Sequence, residues 1–556
     1  MKARRNPPAL RRAGMPASSD AAANSANEPQ PPAEPILDMD DIQGIAVPGF
    51  FKPYQTLICI RIPPSREKLL AFRSFLREPE AKPSNAQETL ADRRLHRESP
   101  ELLEREPAKP LLAVSLSYRG LLRLTPGAKM IPSPAFRGGM VARSSLLGDP
   151  TDETSEGHPS KWIIGGAGAE LDALMVVGGD DADSVSTKSQ GVVSRLLSAG
   201  CEISVQIGHI REDARGHEHF GFDDGVSQPG IRGRASQEVR DFITDRWVDL
   251  DQIPAAWLNG YPGQQLVWPG EFVIGYPASS PDPLVPGPVD EARPAWTRNG
   301  SFLVFRRLRQ DVGLFWRTMK SEAERLATLP GFEGMKYERL AALLVGRWQS
   351  GAPVNRVPDG DEECLGGDQY SNNHFRFDSN TPKLNLRKGK TDPYPDAKAD
   401  PVGLTCPWAA HIRKMNVRDS ASDLGGTIAS YSRRILRVGV PFGESLADPF
   451  ASPADDPHSG DRGLLFLSIQ SSIEEQVEFL QARWANDPSR PKMPGGHDFI
   501  IGQNSAVPDG IRKCVIFGKG AAQAEVMAPS QFVIPTGGGY FFVPSLSAIR
   551  DVIAPA

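Results

Sequence analysis

Two neighbouring aspartates stand in residues 216–230, which read GHEHFGFDDGVSQPG. Asp223 and Asp224 follow Phe220 and Phe222, and a carboxylate held against aromatic rings has its proton affinity displaced, which suits it to general acid–base work. His217 and His219 offer a second kind of proton carrier in the same stretch. The glycines allow tight backbone turns. Loops also carry most solvated aspartates, so these residues alone leave a polar loop open as the alternative.

Two later segments add other chemistry. His411 lies in CPWAAHIRKMNVRD, where Trp408, Ile412 and Met415 form an apolar collar and Arg413, Lys414 and Arg418 supply cations. A haem asks for this mixture: an imidazole for the iron, apolar walls for the macrocycle and cations for the propionates. A buried histidine satisfied by a backbone carbonyl is the plainer alternative. In RRILRVGVPFG (433–443) strand alternation places Arg437 on the face of Ile435 and Gly439, opposite Leu436, Val438 and Val440. An arginine on an apolar strand wants an anion or a reacting oxygen nearby, or else marks an edge strand in solvent.

These stretches need a scaffold, and periodicity supplies one. Alternating Ile58, Ile60 and Ile62 mark a strand that stops at Pro63, and Leu69, Phe72 and Leu76 mark a helix capped by Ser65. A strand over 112–118, a long insertion, a strand over 173–177, a helix carrying Val192 to Leu197 and a strand over 203–207 follow. The order β, α, β, β, α, β is that of a ferredoxin-like α+β domain, an antiparallel sheet with helices on one face. A Pro-, Gly- and Trp-rich connector over 253–298 precedes an apparent repeat. It comprises a strand around 302–305, helices over 311–327 and 336–347, an irregular excursion over 349–405, strands over 435–440 and 464–469, a helix from about 472 capped by Ser471 and Glu474, and a last strand over 540–543. The expected divisions are a disordered tail over 1–36, an N-terminal domain over 37–252 carrying the aspartates, the connector, and a C-terminal domain over 299–556.

Composition narrows the class. The 556 residues carry a net charge of -5 and are 39% hydrophobic, enough for a large core but without the basic field that nucleic acid demands. The five cysteines form no CxxC pair, which fits a reducing compartment and argues against a thiolate zinc site. Arg4-Arg5 and Arg11-Arg12 are followed by polar sequence rather than an apolar run, so neither a signal peptide nor a membrane span is expected, and the protein reads as cytoplasmic.

Taken together, the segments resemble the dye-decolorising peroxidases, a family of haem enzymes. The family's GxxDG motif and following QP match Gly221, Asp224, Gly225, Gln228 and Pro229; its HIRKxN segment matches His411 to Asn416; its distal strand matches Ile435, Arg437, Gly439 and the PFG of 441–443. DIQGIAVPGFFKPYQT (41–56), GRWQSGAP (346–353), GLLFLSIQSSI (463–473) and GGGYFFVPS (537–545) extend the likeness to about 41–550. Val417 departs from the proline often found after the asparagine, which puts the turn there in question. The resemblance implies two ferredoxin-like domains and one haem b per chain, held mainly by the C-terminal domain. It implies reduction of hydrogen peroxide through a ferryl intermediate, with oxidation of aromatic donors such as phenols and dyes. His411 would be the axial iron ligand, Asp224 the distal acid–base group rather than Asp223 or either histidine, and Arg437 the distal cation. Leu464 and Phe466 would wall the distal side, with Gly225, Arg413 and Arg418 as further cofactor contacts. No nucleic-acid or membrane partner is expected, a homo-oligomer is compatible, and a haem-binding or iron-extracting protein is the alternative. An aspartate stays ionised where histidine is protonated, so activity is expected to peak on the acid side of neutrality. Trp484 and Tyr431 could carry electrons to bulky donors, although packing is the commoner use of such residues.

Overall fold

The structure, a computed structural model, describes residues 33–98, 108–252, 254–452, 456 and 460–556. In the N-terminal half, strand β1 (Tyr54–Arg61) is followed by the helix Arg66–Phe75, and then by β2 (Leu111–Leu116), β3 (Ala173–Gly179), the helix Ala182–Ser198 and β4 (Glu202–His209). Two short strands follow, β5 (Gly230–Ile231) and β6 (Leu266–Val267). The C-terminal half has β7 (Ser301–Gln310), helices Val312–Ala327 and Tyr337–Val345, β8 (Leu436–Arg437), β9 (Val440–Phe442), β10 (Gly463–Gln470), β11 (Arg512–Phe517), β12 (Gln523–Ala528) and β13 (Val533–Val543).

Among the described residues, nine strands form one antiparallel sheet in the order β4-β1-β3-β2-β13-β7-β10-β8, with β9 also on β10. Each half contributes the ferredoxin-like order: the strand that opens it lies between its last and its third. The halves join edge to edge at β2 and β13, where Phe542 pairs with Leu116. Both halves were expected, and the α+β class is the one observed.

Alternation sorts the side chains into two cores. Ile58, Ile60 and Ile62 pack outward with Phe72 and Phe75 of the first helix. Leu57 and Cys59 turn inward, where Leu174 and Val176 of β3, Leu303 and Phe305 of β7, and Leu465 and Leu467 of β10 share one cluster. That interior is continuous because the sheet curls until its outer strands meet. Gln55 Nε2 donates to Val438 O at 3.0 Å, and a Cβ at Gly208 would come within 2.2 Å of Val440 Cγ1, so the approach needs glycine.

Several expectations need correction. The second strand ends at Leu116, because Ser117 caps a new helix, Tyr118–Leu124, by accepting from Gly120 N. The insertion after it holds a further helix, Pro134–Leu147. The cap near 472 is Ser472, not Ser471, and Glu474 instead accepts from Ser133 Oγ and Ala135 N at the start of that inserted helix. The segment beyond Ser472 winds in wide π-type turns, Ile473–Glu478 and Leu480–Ala485. The strand over 435–440 is split into β8 and β9, and the β11–β12 hairpin had no counterpart in the expected order. The chain is already fixed at Glu34, buried between Arg232 and Arg246, although the tail was expected to run to 36; residues 1–32 of that tail lie outside the described residues. Between the first helix and β2 the chain also forms the helix Ala86–Glu98, and 99–107 lie outside the described residues. No helix among the described residues is long and apolar enough to cross a membrane.

Candidate active site

A cavity of about 290 Å³ lies on the outer face of the C-terminal sheet. Its floor is made by the outward positions of three strands: Val304, Arg306 and Leu308 of β7, Leu464 and Phe466 of β10, and Tyr540 of β13. His411, Met415 and Leu480 stand in its wall, and the 218–229 loop closes one end. Leu464 and Phe466 both line the cavity, while Leu465 and Leu467 between them fill the inner core.

Asp224 and Arg437 meet at the loop end. Arg437 Nη1 donates to Asp224 Oδ1 at 2.8 Å and Nη2 to Ser227 O at 3.2 Å. Because β8 is only two residues long and stands at the sheet edge, its outer N–H and C=O lack a strand partner. Gln228 supplies one: its Nε2 donates to Arg437 O at 3.0 Å and its Oε1 accepts from Arg437 N at 3.2 Å. The glutamine of the QP pair thus acts as a one-residue strand that fixes the arginine. Gly225, at φ 80°, turns its N–H back onto Asp224 Oδ1 at 2.7 Å. Burial pushes the Asp224 carboxyl up, but the Arg437 guanidinium and the Gly225 N–H outweigh it, and its pKa lies below the ordinary value.

The side chain of Asp224 is 37% exposed, and it borders two spaces. One is the cavity above; the other, of about 430 Å³, lies across the 223–229 loop and is lined also by Arg93 and Tyr261. Asp223 borders the same two spaces, but its carboxylate sits in a niche beside Gly216 and Gly351, where added Cβ atoms would come within 3.0 and 3.1 Å of it. The histidines of the loop stay out of the cavity. His219 is 5% exposed, its Nε2 bonded to Phe442 O at 2.9 Å, and burial pushes its pKa down to about 4. His217 is half-buried, with Nδ1 against Arg215 O. Glu218, which no motif singled out, accepts from the N–H of Phe220 and Phe222 and from Gln310, shaping the turn that presents Asp224.

His411 opens the short helix His411–Met415. Its Nδ1 lies 2.8 Å from Oδ2 of Asp498, a fully buried carboxylate whose Oδ1 accepts from the N–H of Ile500 and Ile501 at 2.8 and 2.9 Å. With Nδ1 engaged, Nε2 is the ring nitrogen left for a ligand. Burial raises the Asp498 carboxyl, but His411 and the two N–H groups draw it below the ordinary value. Asp498 escaped sequence reasoning because it stands 87 positions from His411 in a loop without periodicity. The questioned turn after Asn416 closes without proline: Asn416 Oδ1 accepts from Arg418 N at 3.0 Å.

Arg413 does not reach the cavity, contrary to its expected role as a cofactor contact. Residues two apart do not share a helix face, so with His411 turned to the cavity Arg413 turns away. Its guanidinium is sandwiched between Trp408 and Phe377 and donates to Cys406 O and Asp400 O. Arg418 does line the cavity, together with Arg347 and Arg434. Arg418 is held by Asn373 and Phe375 carbonyls, and Arg434 by Gln265. Burial, then the proximity of Arg347 and Arg434, push the Arg418 pKa far down. Neither Arg418 nor Arg434 has a carboxylate partner among the ion pairs of the described residues, so buried like charges converge on a space that calls for an anion. A haem fits this donor set: imidazole at one wall, apolar strands beneath, and arginines without carboxylate partners where propionates would lie. Trp484 and Tyr431 are buried core residues away from the cavity lining, Trp484 donating to Asp423 Oδ1.

No family profile matches the chain. A dye-decolorizing peroxidase of Mycena epipterygia is 32% identical over 464 residues, covering 80% of this chain and 77% of that protein. A multifunctional dye peroxidase of an Amycolatopsis strain is 32% identical over 455 residues, covering 80% and 82%. Among solved structures, an ancestral D-type dye decolorizing peroxidase is 31% identical with a TM-score of 0.70, over 94% of this chain and all of that one. A dye-decolorizing peroxidase in complex with 2,6-dimethoxyphenol is 25% identical with a TM-score of 0.66, also over 94% and 100%. With identity of this level running through both halves and the motif residues gathered around one cavity, the chain belongs to the dye-decolorising peroxidase family.

Proposed function

We propose that this peroxidase binds one haem b in the cavity, where His411 would hold its iron and Asp224 and Arg437 would act together on the peroxide, and that it uses hydrogen peroxide to oxidise aromatic donors such as phenols and dyes. When bound, a haem would supply the redox-active iron for the two-electron reduction of peroxide. Asp224 takes a proton from the nearer peroxide oxygen and returns it to the farther one as the O–O bond breaks, work that contributes roughly 10² to 10⁴ in rate. Its lowered pKa keeps it ionised and ready to accept that proton. Arg437, cationic throughout, holds the carboxylate in place and balances negative charge on the departing oxygen. Asp498 fixes the His411 ring and raises its basicity. Arg418 and Arg434 would receive the propionates, and Leu464 and Phe466 keep bulky donors from the distal side. The 2,6-dimethoxyphenol complex of the related structure supports the donor class. Five unpaired cysteines, four of them buried, support a reducing, cytoplasmic setting.

The observation that carries this reading is the 2.8 Å Asp224–Arg437 contact in the cavity that His411 also lines. Stopped-flow spectroscopy with peroxide on wild type, Asp224→Asn and Arg437→Leu tests it. The haem band should shift rapidly in the wild type and slowly in both variants. Undiminished turnover in Asp224→Asn would instead favour a haem-binding or iron-extracting protein whose peroxidase activity is incidental.

A further inference from the structure

The large sheet runs from β4 at one end to β8 at the other, and only the β8 end is capped. Gln228 fills the open side of β8, as described above. The small β11–β12 sheet is closed in the same manner. On β12, Glu525 O accepts from Arg325 Nη2 at 2.6 Å, and Met527 N donates to Glu322 Oε2 at 3.3 Å. The edge of β4 has no such cover. Ile210 N donates to Pro53 O, so the even-numbered residues of β4 face β1, and the N–H and C=O groups of Ile203, Val205 and Ile207 point away from the sheet. Among the described residues the only hydrogen bond to these groups comes from Gln206 Nε2 to Val205 O, at 3.0 Å, which leaves that carbonyl a second lone pair.

Exposed edges are usually blunted by a proline, a lysine, a bulge or a covering segment. β4 reads EISVQIGH and pairs with β1 in one unbroken register from Glu202 to His209, so it carries no proline, lysine or bulge. Its apolar side chains stand on the face of Ile58, where Ile203 reaches the core but Val205 and Ile207 remain 40% and 66% exposed. The strand is also its own complement. An antiparallel partner must oppose odd-numbered residues to meet the outward groups, and a two-fold axis at Val205 sets Val205 against itself and Ile203 against Ile207. Each of the outward N–H groups of both copies then meets a carbonyl. Charge permits the pairing although the chain carries -5 overall: Glu202 is the only charged residue over 202–208 and is already paired with Arg61 at 2.9 Å, so no like charges oppose each other.

We propose that β4 is a homodimer interface in which two copies of the chain pair antiparallel about Val205 and join their large sheets across the axis. The paired strip is short and lies at the low end of specific interfaces in area, so dimer and monomer should exchange at about 1 to 100 μM protein. No residue of β4 lines the cavity, and the interface stands apart from the peroxidase reading.

The test is sedimentation velocity of the full chain across that range, with crosslinking to fix the register. Wild type should pass from monomer to dimer. Val205→Pro removes an N–H that β1 does not use and should weaken the dimer at least about tenfold. Ile207→Lys sets a charge on the strip and should weaken it in the same direction. Val205→Cys, made with Cys364→Ser to remove the exposed native thiol, should form an intermolecular disulfide under mild oxidation, because opposed hydrogen-bonded residues have Cα atoms about 5.5 Å apart. Ile203→Cys, which faces Ile207 of the second copy, should not. A wild type that stays monomeric throughout, whatever else the edge binds, overturns the proposal. So does a dimer that survives both Val205→Pro and Ile207→Lys, or one that crosslinks equally through positions 203 and 205.

Discussion

Both ends of the cavity are built on an aspartate, and the two are held in opposite ways. Asp498 is fully buried, with one oxygen filled by two backbone N–H groups and the other by His411. Asp224 is 37% exposed to the spaces around it, and the hydrogen bonds it accepts from Arg437 and from the N–H of Gly225 both fall on Oδ1. Both carboxyls sit below the ordinary pKa. The same charge state thus serves two purposes, decided by how many acceptor positions the backbone fills. A saturated carboxylate fixes its partner; one with an oxygen to spare can carry a proton.

The sharpest way to break this comparison is to remove each charge in turn. Asp224→Asn keeps the shape but not the base, and the second-order rate with peroxide should fall by roughly 10² to 10⁴ with haem content unchanged. Stopped-flow rates at matched haem loading measure it. A fall of less than about tenfold would mean that Asp224 carries no proton.

The loop that presents Asp224 should be the acid-sensitive end. His219 is buried with a pKa of about 4 against an ordinary value near 6.5. The unfolded chain binds the proton first, so stability falls as pH drops from about 6.5 towards 4 and the loss is complete below that. The size is on the order of 3 kcal/mol. His219→Gln can still donate to Phe442 O but does not titrate, so its denaturant-measured stability should change much less than wild type between pH 7 and pH 4. The catalytic step should move the other way. Asp224 remains ionised until pH falls through its lowered pKa, so turnover should peak on the acid side of neutrality and decline only where folding also weakens. A peak above pH 7 in a pH–rate profile would count against Asp224 as the base.

At the other end, Asp498→Asn replaces an acceptor for the His411 N–H with an amide that donates, which disturbs the ring's tautomer. Second-shell changes of this kind typically cost 10–100-fold in affinity or activity. Titrating apoprotein with haem, followed by the absorbance of the bound form, should show a loss in that range. An unchanged titration together with unchanged turnover would make Asp498 a structural anchor and leave the two ends of the cavity unequal.

How far these features were legible follows from where their signals lie. Asp224, His411 and Arg437 each sit in a short motif, and strand alternation placed Arg437 and Ile435 on the cavity side while Leu436, Val438 and Val440 fill the core. The two β, α, β, β, α, β orders were readable because amphipathic strands and helices repeat at fixed periods. What could not be read is what long-range packing decides. Asp498 is brought to His411 across 87 positions by a loop, and the edge-to-edge joining of the halves rests on β2 meeting β13. Arg413 was misplaced because its motif gave residue types without the helix face, which a five-residue helix sets by its first residue. Glu474 likewise had the type for a capping box, but a helix start more than three hundred positions earlier in the chain claimed it.

The smallest expected effect concerns the glutamine that links the two motifs of the loop end. Gln228 makes no contact with Asp224 among its bonds described above; it grips the backbone of Arg437 at N and O. Gln228→Ala deletes both bonds, each worth about 0.5–1.5 kcal/mol, and returns an edge strand of two residues to solvent. The Arg437 side chain keeps its charge and its reach to Asp224, so the loss should appear as looser positioning, roughly three- to tenfold in the peroxide rate on that energy scale. Gln228→Glu separates the two bonds: its oxygens can still accept from Arg437 N but cannot donate to Arg437 O, and they place a carboxylate beside that carbonyl. It should therefore be no better than Ala. If Gln228→Glu instead kept the wild-type rate, the charge of the loop rather than the hold on β8 would set the position of Arg437, and the exposed end of the cavity would owe its geometry to electrostatics alone.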